Sequence, residues 1–255
     1  RWVGTWGYSW EVDDISIYDT PAYDIRVDNS VSYTDFETTG IYENGAWAES
    51  QLIGLDLAAK VYNTGYEAST GTHMNISVNG NDVGNSDSID LDYQAVDTLR
   101  YLGWTPGDGP GTYEITYTLM ADSADENEAN NVAVQGFEVT TLQYGRDDGT
   151  MTGLFPGDGA DDFVACNPYD IWGDATIYAT DVAIASGSEE GTPVIAHLYD
   201  GADAAFLDTD PYGGLLVSSA ELDLAASYSN DGSEAVGDIV WYTLVLEEPY
   251  DVAAG

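Results

Sequence analysis

Basic residues are nearly absent from this chain. Its 255 residues include five Lys and Arg against 46 Asp and Glu, a formal net charge of −41 at pH 7. The five are Arg1, Arg26, Lys60, Arg100 and Arg146. Binding a phosphate surface needs a basic patch, and these residues are too few and too scattered along the sequence to predict one. The composition therefore excludes nucleic acid and anionic membranes as expected partners.

Cysteine and long apolar runs are also scarce. Cys166 is the single cysteine, so no intramolecular disulfide can form, and we expect it to be a semi-buried small apolar residue. Domains above about 100 residues bury enough surface to fold without disulfides. A transmembrane helix needs about 20 consecutive apolar residues, and the sequence has no such run, so no membrane insertion is predicted. Because the sequence starts at Arg1 without a signal peptide, we expect it to be a portion of a longer chain.

The residues that are present favour a folded β-protein. Hydrophobic residues make up 44% of the chain, with seven Trp and 19 Tyr, which argues against disorder despite the acidity. Thr, Val, Ile, Tyr and Trp dominate the segments between Gly, Asn and Asp clusters, as in β-strands and turns. The net charge opposes compaction, so we expect surroundings in which salt or divalent cations screen it.

The length and the strand pattern predict two tandem β-sandwiches after an N-terminal strand. Residues 1–21 form that strand and a linker, residues 22–141 an immunoglobulin-like sandwich, and residues 142–255 a second sandwich of jelly-roll or immunoglobulin-like type. The first sandwich is predicted to contain strands at 24–27, 46–52, 55–62, 74–78, 88–91, 99–104, 112–120 and 131–139. The second is predicted to contain strands at 175–184, 192–199, 215–218, 221–224 and 238–246.

Two strands have informative patterns. In 112–120, every second residue is apolar: Tyr113, Ile115, Tyr117 and Leu119. The positions between them are Thr or Glu, so one buried face is predicted. In 238–246, both alternating sets are apolar, which predicts a central strand packed on both sides.

The first predicted sandwich contains Val61-Tyr-Asn-Thr-Gly65, followed by Pro106-Gly and Pro110-Gly-Thr-Tyr113. In this order they resemble the V-x-N-x-G strand end and the later motifs of the CARDB module, an immunoglobulin-like unit of bacterial extracellular proteins. Asp125-Glu-Asn-Glu-Ala-Asn-Asn131 is similar to the E-x-N-E-x-N-N segment before the last strand. The resemblance implies a non-catalytic module in which Glu128 and Asn131 fix a turn through their side chains.

The flanking segments resemble other modules. Trp10-Glu-Val-Asp-Asp-Ile-Ser-Ile-Tyr18 is similar to the closing strand of cleaved-adhesin or MAM-like jelly rolls in Bacteroidota surface proteins. Val182-Ala-Ile-Ala-Ser-Gly and Gly191-Thr-Pro-Val-Ile-Ala-His-Leu-Tyr-Asp are similar to a sandwich that precedes the sorting domain of type IX-secreted proteins. Together they imply a secreted, cell-surface context.

The sequence offers little for catalysis. The two histidines, His73 and His197, lie far apart, and no Gly-x-Ser-x-Gly nucleophile turn is present. One Cys and two distant His exclude the common zinc spacings, and we expect structural roles for both histidines. Among 46 acids, any pair of carboxylates is uninformative about glycoside hydrolysis. We therefore predict that the chain is not an enzyme.

Calcium is the predicted cofactor, because hard cations bind carboxylate, carbonyl and amide oxygens. The candidate ligands lie in two dense acidic loops: Asp122, Asp125, Glu126 and Glu128 in the first, and Asp158, Asp161 and Asp162 in the second. Asp208 and Asp210 form a third, smaller group. None of these loops has EF-hand spacing, and solvated acidic loops without metal are the alternative.

Trp2, Trp6 and Trp10 are the candidate ligand-contacting residues, on one face of the N-terminal strand. They either pair and pack as part of a sheet or form a sugar-stacking platform. The predicted function is a non-catalytic structural or adhesive segment of a bacterial surface protein or fibre. Its expected partners are other copies or neighbouring domains, and glycans. The alternative is a carbohydrate-binding accessory module of a secreted polysaccharide-degrading enzyme.

Overall fold

The computed structural model describes residues 20–32, 45–107, 109–146, 166–185, 191–200, 214–224 and 239–255. Within these ranges the protein is nearly all β, so the predicted fold class is confirmed. The helical elements described are two short 3-10 helices, Glu49–Gln51 and Glu128–Asn130, the first of which replaces the end of the predicted strand 46–52. Neither is long and apolar enough to cross a membrane. The N-terminal strand predicted for residues 1–18 lies outside the described residues.

The first nine strands follow the predicted order, with one addition. They are β1 Ile25–Ser32, β2 Ala46–Ala48, β3 Leu55–Asn63, β4 Ser69–Val78, β5 Asn81–Asn85, β6 Ile89–Leu91, β7 Val96–Trp104, β8 Gly111–Met120 and β9 Val132–Thr140. One sheet has the order β1-β3-β7, and the other has the order β2-β9-β8-β4-β5, with β6 also paired to β4. β2 runs parallel to β9, and β4 is antiparallel to β5, β6 and β8.

The remaining strands form three separate pairs among the described residues. They are β10 Ala175–Ala185, β11 Pro193–Val194, β12 His197–Tyr199, β13 Leu215–Ser218, β14 Leu222–Asp223 and β15 Ile239–Val252. The pairs are β10 with β15, β11 with β14, and β12 with β13, all antiparallel. The predicted strand 192–199 is thus two short strands with different partners.

By residue contacts the chain divides into two compact units, and strands β1, β3, β7, β8 and β9 each contribute to both. Unit 1 combines Ala58–Tyr101 and Ile115–Val134 with the described residues up to Val31. Unit 2 combines the described residues of Ser32–Leu57 with Leu102–Glu114 and the described chain from Gln135 onward. The predicted domain boundaries at 21/22 and 141/142 stay a prediction.

Each unit has its own apolar core. In unit 1 the side chains of Val61, Met74, Ile76, Ile115 and Tyr117 are completely buried. In unit 2 the large buried side chains are Trp47, Leu55, Leu57, Tyr113, Phe137, Val139, Leu244 and Leu246. Burying side chains of this size is the main stabilising contribution, about 1.5–3 kcal/mol for each.

The alternation predicted for 112–120 is confirmed. In β8 the side chains of Tyr113, Ile115, Tyr117 and Leu119 are buried, while Thr112 and the other polar positions are exposed or half-buried. A period of two places alternate side chains on opposite faces of a strand, so polar and apolar residues separate cleanly.

Strand β5 was not predicted, although the sequence carries its signal. Asn79 and Gly80 join β4 to β5, and both have positive φ, 49° and 75°. This is the backbone of a two-residue hairpin turn of type I′, for which Asn-Gly is the preferred sequence. The predicted strand 74–78 is therefore the end of a longer strand that turns directly into β5.

The prediction that the last strand is packed on both faces is wrong. In β15, Leu244 and Leu246 are buried, but Trp241 is 44% exposed and Val245 is 64% exposed. The exposed face also carries Thr243, whose hydroxyl donates a 2.6 Å hydrogen bond to a carboxylate oxygen of β10. One face of β15 is therefore buried, and the other is exposed to solvent although it carries large apolar side chains.

Candidate functional site

The acidic loop, residues 122–128, is bonded to the leading segment, residues 21–25. Glu126 Oε1 accepts hydrogen bonds from the backbone N–H groups of Ala22, at 2.8 Å, and Tyr23, at 3.3 Å. Asp125 Oδ2 accepts the N–H of Ile25 at 2.8 Å. Hydrogen bonds to ionised carboxylates are among the stronger ones in proteins. Two carboxylates predicted as calcium ligands therefore hold the backbone of a segment about 100 residues away in sequence.

Backbone groups and one amide side chain complete this contact. The N–H of Glu126 donates to the carbonyl of Tyr23 at 2.9 Å. Asn130 Nδ2 donates to Asp24 Oδ1 at 3.0 Å. Asp125 Oδ1 in addition accepts the N–H of Asn127 at 2.6 Å, which fixes the loop's own conformation.

The other two predicted ligands of this loop do not join the contact. Asp122 Oδ2 accepts the hydroxyl of Thr70 at 3.0 Å. Glu128 is exposed, and its carbonyl accepts the N–H of Asn131 at 3.3 Å. The turn is therefore closed through the backbone of Glu128. Asn131 is buried, but its Oδ1 has no hydrogen-bond partner, so the turn-fixing side chains implied by the family resemblance are not seen here.

Within the described residues, no three of the His, Cys, Asp and Glu side chains converge in a way that could hold a metal ion. The second and third predicted acidic groups, Asp158, Asp161 and Asp162 with Asp208 and Asp210, lie outside the described residues, as do Trp2, Trp6 and Trp10. Calcium binding stays a prediction.

Asn63, in the V-x-N-x-G segment, is a hydrogen-bonding centre. Its side chain is 1% exposed. Nδ2 donates to the carbonyls of Glu67, Leu91 and Asp92 at 2.9, 3.0 and 3.2 Å, and Oδ1 accepts the N–H of Gly65 at 3.0 Å. A buried amide has to bond at both ends to offset its desolvation. Asn63 achieves this by joining the end of β3 to the turn after β6.

Gly65 lies against the leading segment at a distance that only glycine permits. A Cβ atom at this position would stand 2.5 Å from the carbonyl oxygen of Ala22 and 2.7 Å from the nitrogen of Asp24. The close approach lets the carbonyl of Asp24 accept the N–H groups of Thr64, at 2.7 Å, and Gly65, at 2.9 Å. The leading segment is thus held on one side by the acidic loop and on the other by residues 64–65.

A second polar contact involves Gln51, which sequence analysis did not single out. Its side chain is 3% exposed. Nε2 donates to the carbonyl of Gly173 at 2.8 Å, and Oε1 accepts the N–H groups of Trp172 and Gly173 at 2.9 and 3.3 Å. A Cβ at Gly173 would overlap the carbonyl oxygen of Ser50. All these residues belong to unit 2.

Aromatic rings accompany this contact in the same unit. The ring of Tyr144 lies 5.5 Å from that of Trp47 and 5.3 Å from that of Tyr169, centroid to centroid. The Tyr144 hydroxyl donates to the carbonyl of Asp170 at 3.1 Å. Ring pairs at these separations add to stability beyond the area that they bury.

The histidines and the cysteine form no catalytic cluster among the described residues. His73 Nδ1 lies 2.9 Å from the carbonyl of Gly71, and His197 Nδ1 lies 2.8 Å from the hydroxyl of Ser218 on the paired strand. The expectation that Cys166 is semi-buried is wrong, because the residue is exposed in a stretch without strand or helix.

The comparison with family models agrees with the resemblance noted in the first predicted sandwich. The CARDB family model, which describes a non-catalytic immunoglobulin-like module, matches residues 42–135. A crystal structure of a CARDB domain from Pyrococcus furiosus, in complex with di-metal ions, is 21% identical, and the match covers 51% of this chain and 99% of that domain at a TM-score of 0.37. A solution NMR structure of a CARDB domain from the same organism is 20% identical, with 49% and 100% covered and a TM-score of 0.36. No curated protein matches the chain.

Proposed function

We propose that this chain is a non-catalytic structural and adhesive segment of an extracellular surface protein or fibre. The observation that carries the proposal is the bonding of the leading segment by the acidic loop. Glu126 and Asp125 bond residues 22, 23 and 25, and the carbonyl of Asp24 is bonded from the opposite side by Thr64 and Gly65. Several hydrogen bonds must therefore break together before residues 21–25 can separate from the acidic loop and from residues 64–65. Such a contact resists a pulling force, as expected of a segment that transmits tension.

The contact centred on Gln51 supports the same role. It joins residues 49–51 to residues 172–173 by three hydrogen bonds to a single buried side chain. A connection of this kind restricts motion between sequence-distant segments, as expected for a stiff spacer. The acidic surface adds hydration and mutual repulsion between neighbouring chains.

Single-molecule pulling of the full chain between terminal handles tests this role. Glu126→Ala removes the acceptor for two backbone amides, so we expect the force at which the first extension occurs to fall. Glu128→Ala is the matched control, because it removes the same charge from the same loop at an exposed side chain. If the first extension occurs at the same force in both variants and in the parent protein, the contact between the acidic loop and the leading segment does not resist pulling.

Assembly by strand exchange is a further part of the proposal. The segment 1–18 has the aromatic alternation of a strand, and a strand that completes the sheet of another copy gives open filaments. Deleting residues 1–18 and imaging the protein by negative-stain microscopy tests this. Filaments should shorten or disappear, and unchanged assemblies would refute the exchange.

Calcium is the ion that we propose for the acidic groups at 122–128, 158–162 and 208–210, because they concentrate oxygen ligands. A CaCl₂ titration followed by the thermal midpoint tests it, with NaCl at equal ionic strength as the control for screening. A rise in midpoint that is specific to calcium supports binding. Identical rises in both salts would show screening alone.

A carbohydrate-binding role has a separate observation in its favour. Tyr62 and Tyr93 line a cleft of about 340 Å³ together with hydroxyl and amide side chains. Aromatic rings beside polar groups are the side chains that stack on and hydrogen-bond to sugars. A glycan array probed with the full chain tests this role, and the absence of binding to any glycan would contradict it.

A further inference from the structure

Two of the five basic residues meet at one aromatic ring. The guanidinium carbon of Arg26, on β1, lies 4.3 Å from the centroid of the Tyr62 ring, and Lys60 Nζ lies 5.7 Å from the same centroid. Tyr62 and Lys60 are both on β3, the strand that pairs with β1. Arg26 and Lys60 are 34 positions apart in the sequence, and the pairing of β1 with β3 brings them to one ring, so the basic residues are less scattered in the fold than in the sequence.

Within the parts of the chain that the structure describes, neither cation forms an ion pair. Among the described residues, the ion pair present is between Arg146 and Asp170, at 4.0 Å, and no carboxylate oxygen lies within that distance of Arg26 or Lys60. In a chain with 46 acids and five bases, these are two neighbouring cations that pair with no described carboxylate, and together they are called the cationic site. A guanidinium stacked on a ring still presents its N–H edge to an anion.

Tyr62 also belongs to the wall of a cleft. The cleft has a volume of about 340 Å³ and is lined by Thr20, Tyr62, Asn63, Thr64, Tyr93 and Gln94. Tyr93 is 53% exposed, so much of its ring is available for contact. The volume is at the lower end of the range of small-molecule sites, about 300–1,000 Å³. Arg26 and Lys60 therefore lie beside the cleft, next to Tyr62, a side chain that belongs to its wall.

The turn that forms one side of the cleft is strained at Gln94. The N–H of Ala95 donates to the carbonyl of Asp92 at 2.9 Å, and Gln94, the third residue of this turn, has a φ of +61°. A turn of this type favours glycine at that position, because a positive φ costs other residues energy. Gln94 Nε2 donates to the hydroxyl of Tyr93 at 3.0 Å. The side chain at this costly position thus orients the phenol, which keeps its own proton to donate.

We propose that this cleft binds an acidic saccharide. The pyranose ring contacts the exposed face of Tyr93, its hydroxyl groups bond to Gln94 and the threonine hydroxyls, and its carboxylate or sulfate meets Arg26 and Lys60. A bidentate contact with Arg26 supplies the charge recognition. The proposal deepens the carbohydrate-binding role above and rests on it, and it names the class of sugar and the residues that distinguish it from a neutral one.

Charge favours a small acidic ligand over an acidic protein surface. A second copy of the chain would bring another 41 negative charges toward the same molecule, whereas a short acidic saccharide brings only a few. Repulsion from acids more than about 8 Å away is largely screened at physiological ionic strength, so a small ligand confined to the cleft and the cationic site avoids the charge on most of the surface.

Calorimetric titration of the full chain tests the proposal with three probes: tetragalacturonate, its fully methyl-esterified and therefore neutral form, and a heparin-derived tetrasaccharide. We expect the neutral ester to bind about tenfold or more weakly than tetragalacturonate, as is typical when a charge-assisted contact is lost. The heparin fragment distinguishes sulfate from carboxylate as the preferred anion. Equal binding of the acid and the ester would overturn the assignment of an acidic sugar while leaving a carbohydrate-binding role intact.

Variants locate the site. Arg26→Gln should lower affinity for tetragalacturonate about tenfold, whereas Gln143→Glu, which changes the net charge equally at an exposed position in unit 2, should not. Tyr93→Ala should also weaken binding, and Tyr66→Ala is its control, because Tyr66 is 55% exposed and outside the cleft. Circular dichroism and the thermal midpoint verify that each variant folds. Equal losses in variants and controls, or binding of a poly-glutamate peptide but of no saccharide, would refute the proposal.

Discussion

Asn63 fixes the backbone of Gly65 two residues further along the chain. Asn63 Oδ1 accepts the N–H of Gly65 at 3.0 Å, and the same N–H also points to the carbonyl of Asp24, 2.9 Å away. One backbone donor is therefore shared between a buried side chain and the leading segment. This relationship makes the end of β3, the turn after β6 and residues 21–25 a single hydrogen-bonded structure.

Replacing Asn63 should be among the most destabilising single changes in the chain. Asn63→Ala removes the donor to three carbonyls and one of the two acceptors of the Gly65 N–H, which keeps its bond to the carbonyl of Asp24. We expect a loss of about 3 kcal/mol in the free energy of unfolding, since each buried group left unsatisfied costs about 1–3 kcal/mol. Urea denaturation measures it. Asn81→Ala, at an exposed amide in the β4–β5 hairpin, should change stability by less than about 0.5 kcal/mol. Similar losses in both would contradict a central role for Asn63.

The position of Gly65 should not accept even one methyl group. Gly65→Ala places a carbon atom 2.5 Å from the carbonyl oxygen of Ala22, so the leading segment must move and its hydrogen bonds weaken. We expect a loss of about 1–3 kcal/mol, as for other overpacked sites. Gly107→Ala is the control, since nothing lies within 4 Å of its Cβ position. A stable Gly65→Ala variant with unchanged hydrogen exchange at residues 22–25 would show that the segment is not held as described.

The contact at Gly173 can be tested through local opening. Gln51→Ala removes one acceptor and one donor from the backbone of residues 172–173, and we expect amide exchange in the peptide 166–174 to become faster. Gln143→Ala, an exposed glutamine in the same unit, should leave exchange unchanged. Mass spectrometry of exchanged peptides provides the measurement. Protection that survives in Gln51→Ala would mean that packing, and not the amide, holds this segment.

Salt should stabilise the protein. A net charge of −41 produces self-repulsion in the folded state, and the screening length falls from about 30 Å at 0.01 M salt to about 3 Å at 1 M. The thermal midpoint should rise steeply at low NaCl concentration and then level off as screening saturates. Calorimetry over this range measures it, and a midpoint that falls as NaCl is added would contradict the repulsion.

The fold was predictable where a single strand carries its own pattern. From Thr112 to Leu119, β8 alternates polar and apolar positions, and its burial follows the sequence. The sequence Asn79-Gly80 also indicates a hairpin turn. The second strand of that hairpin, β5, was not predicted, because its Asn, Asp and Gly residues lack the apolar alternation that is typical of strands. For β15 the apolar residues on both faces predicted burial of both, which is wrong for one face. Val245 on that face is 64% exposed, and the local sequence does not indicate which face lacks a covering layer.

The functional contacts were less predictable because they join distant positions. The motif Val61-Tyr-Asn-Thr-Gly65 was visible, but its reason, the approach of residue 22, depends on the folded chain. In the acidic loop, nothing in the local sequence distinguishes Glu126, whose carboxylate accepts two N–H groups of the leading segment, from Glu128, which is exposed like it but accepts neither. Nothing in the local sequence indicates the role of Gln51, because its hydrogen-bond partners are 121 and 122 residues away.

The acidic loop implies that the 46 acids of this chain do not evolve under one constraint. Glu126 and Asp125 serve particular backbone amides, so substitution there changes geometry as well as charge. An exposed residue such as Glu128 contributes only to the total, which other positions could supply equally well. Among homologues of this protein, we therefore expect the positions of most acidic residues to vary while the overall negative charge is kept. We expect the acidic pair at 125–126 to be conserved.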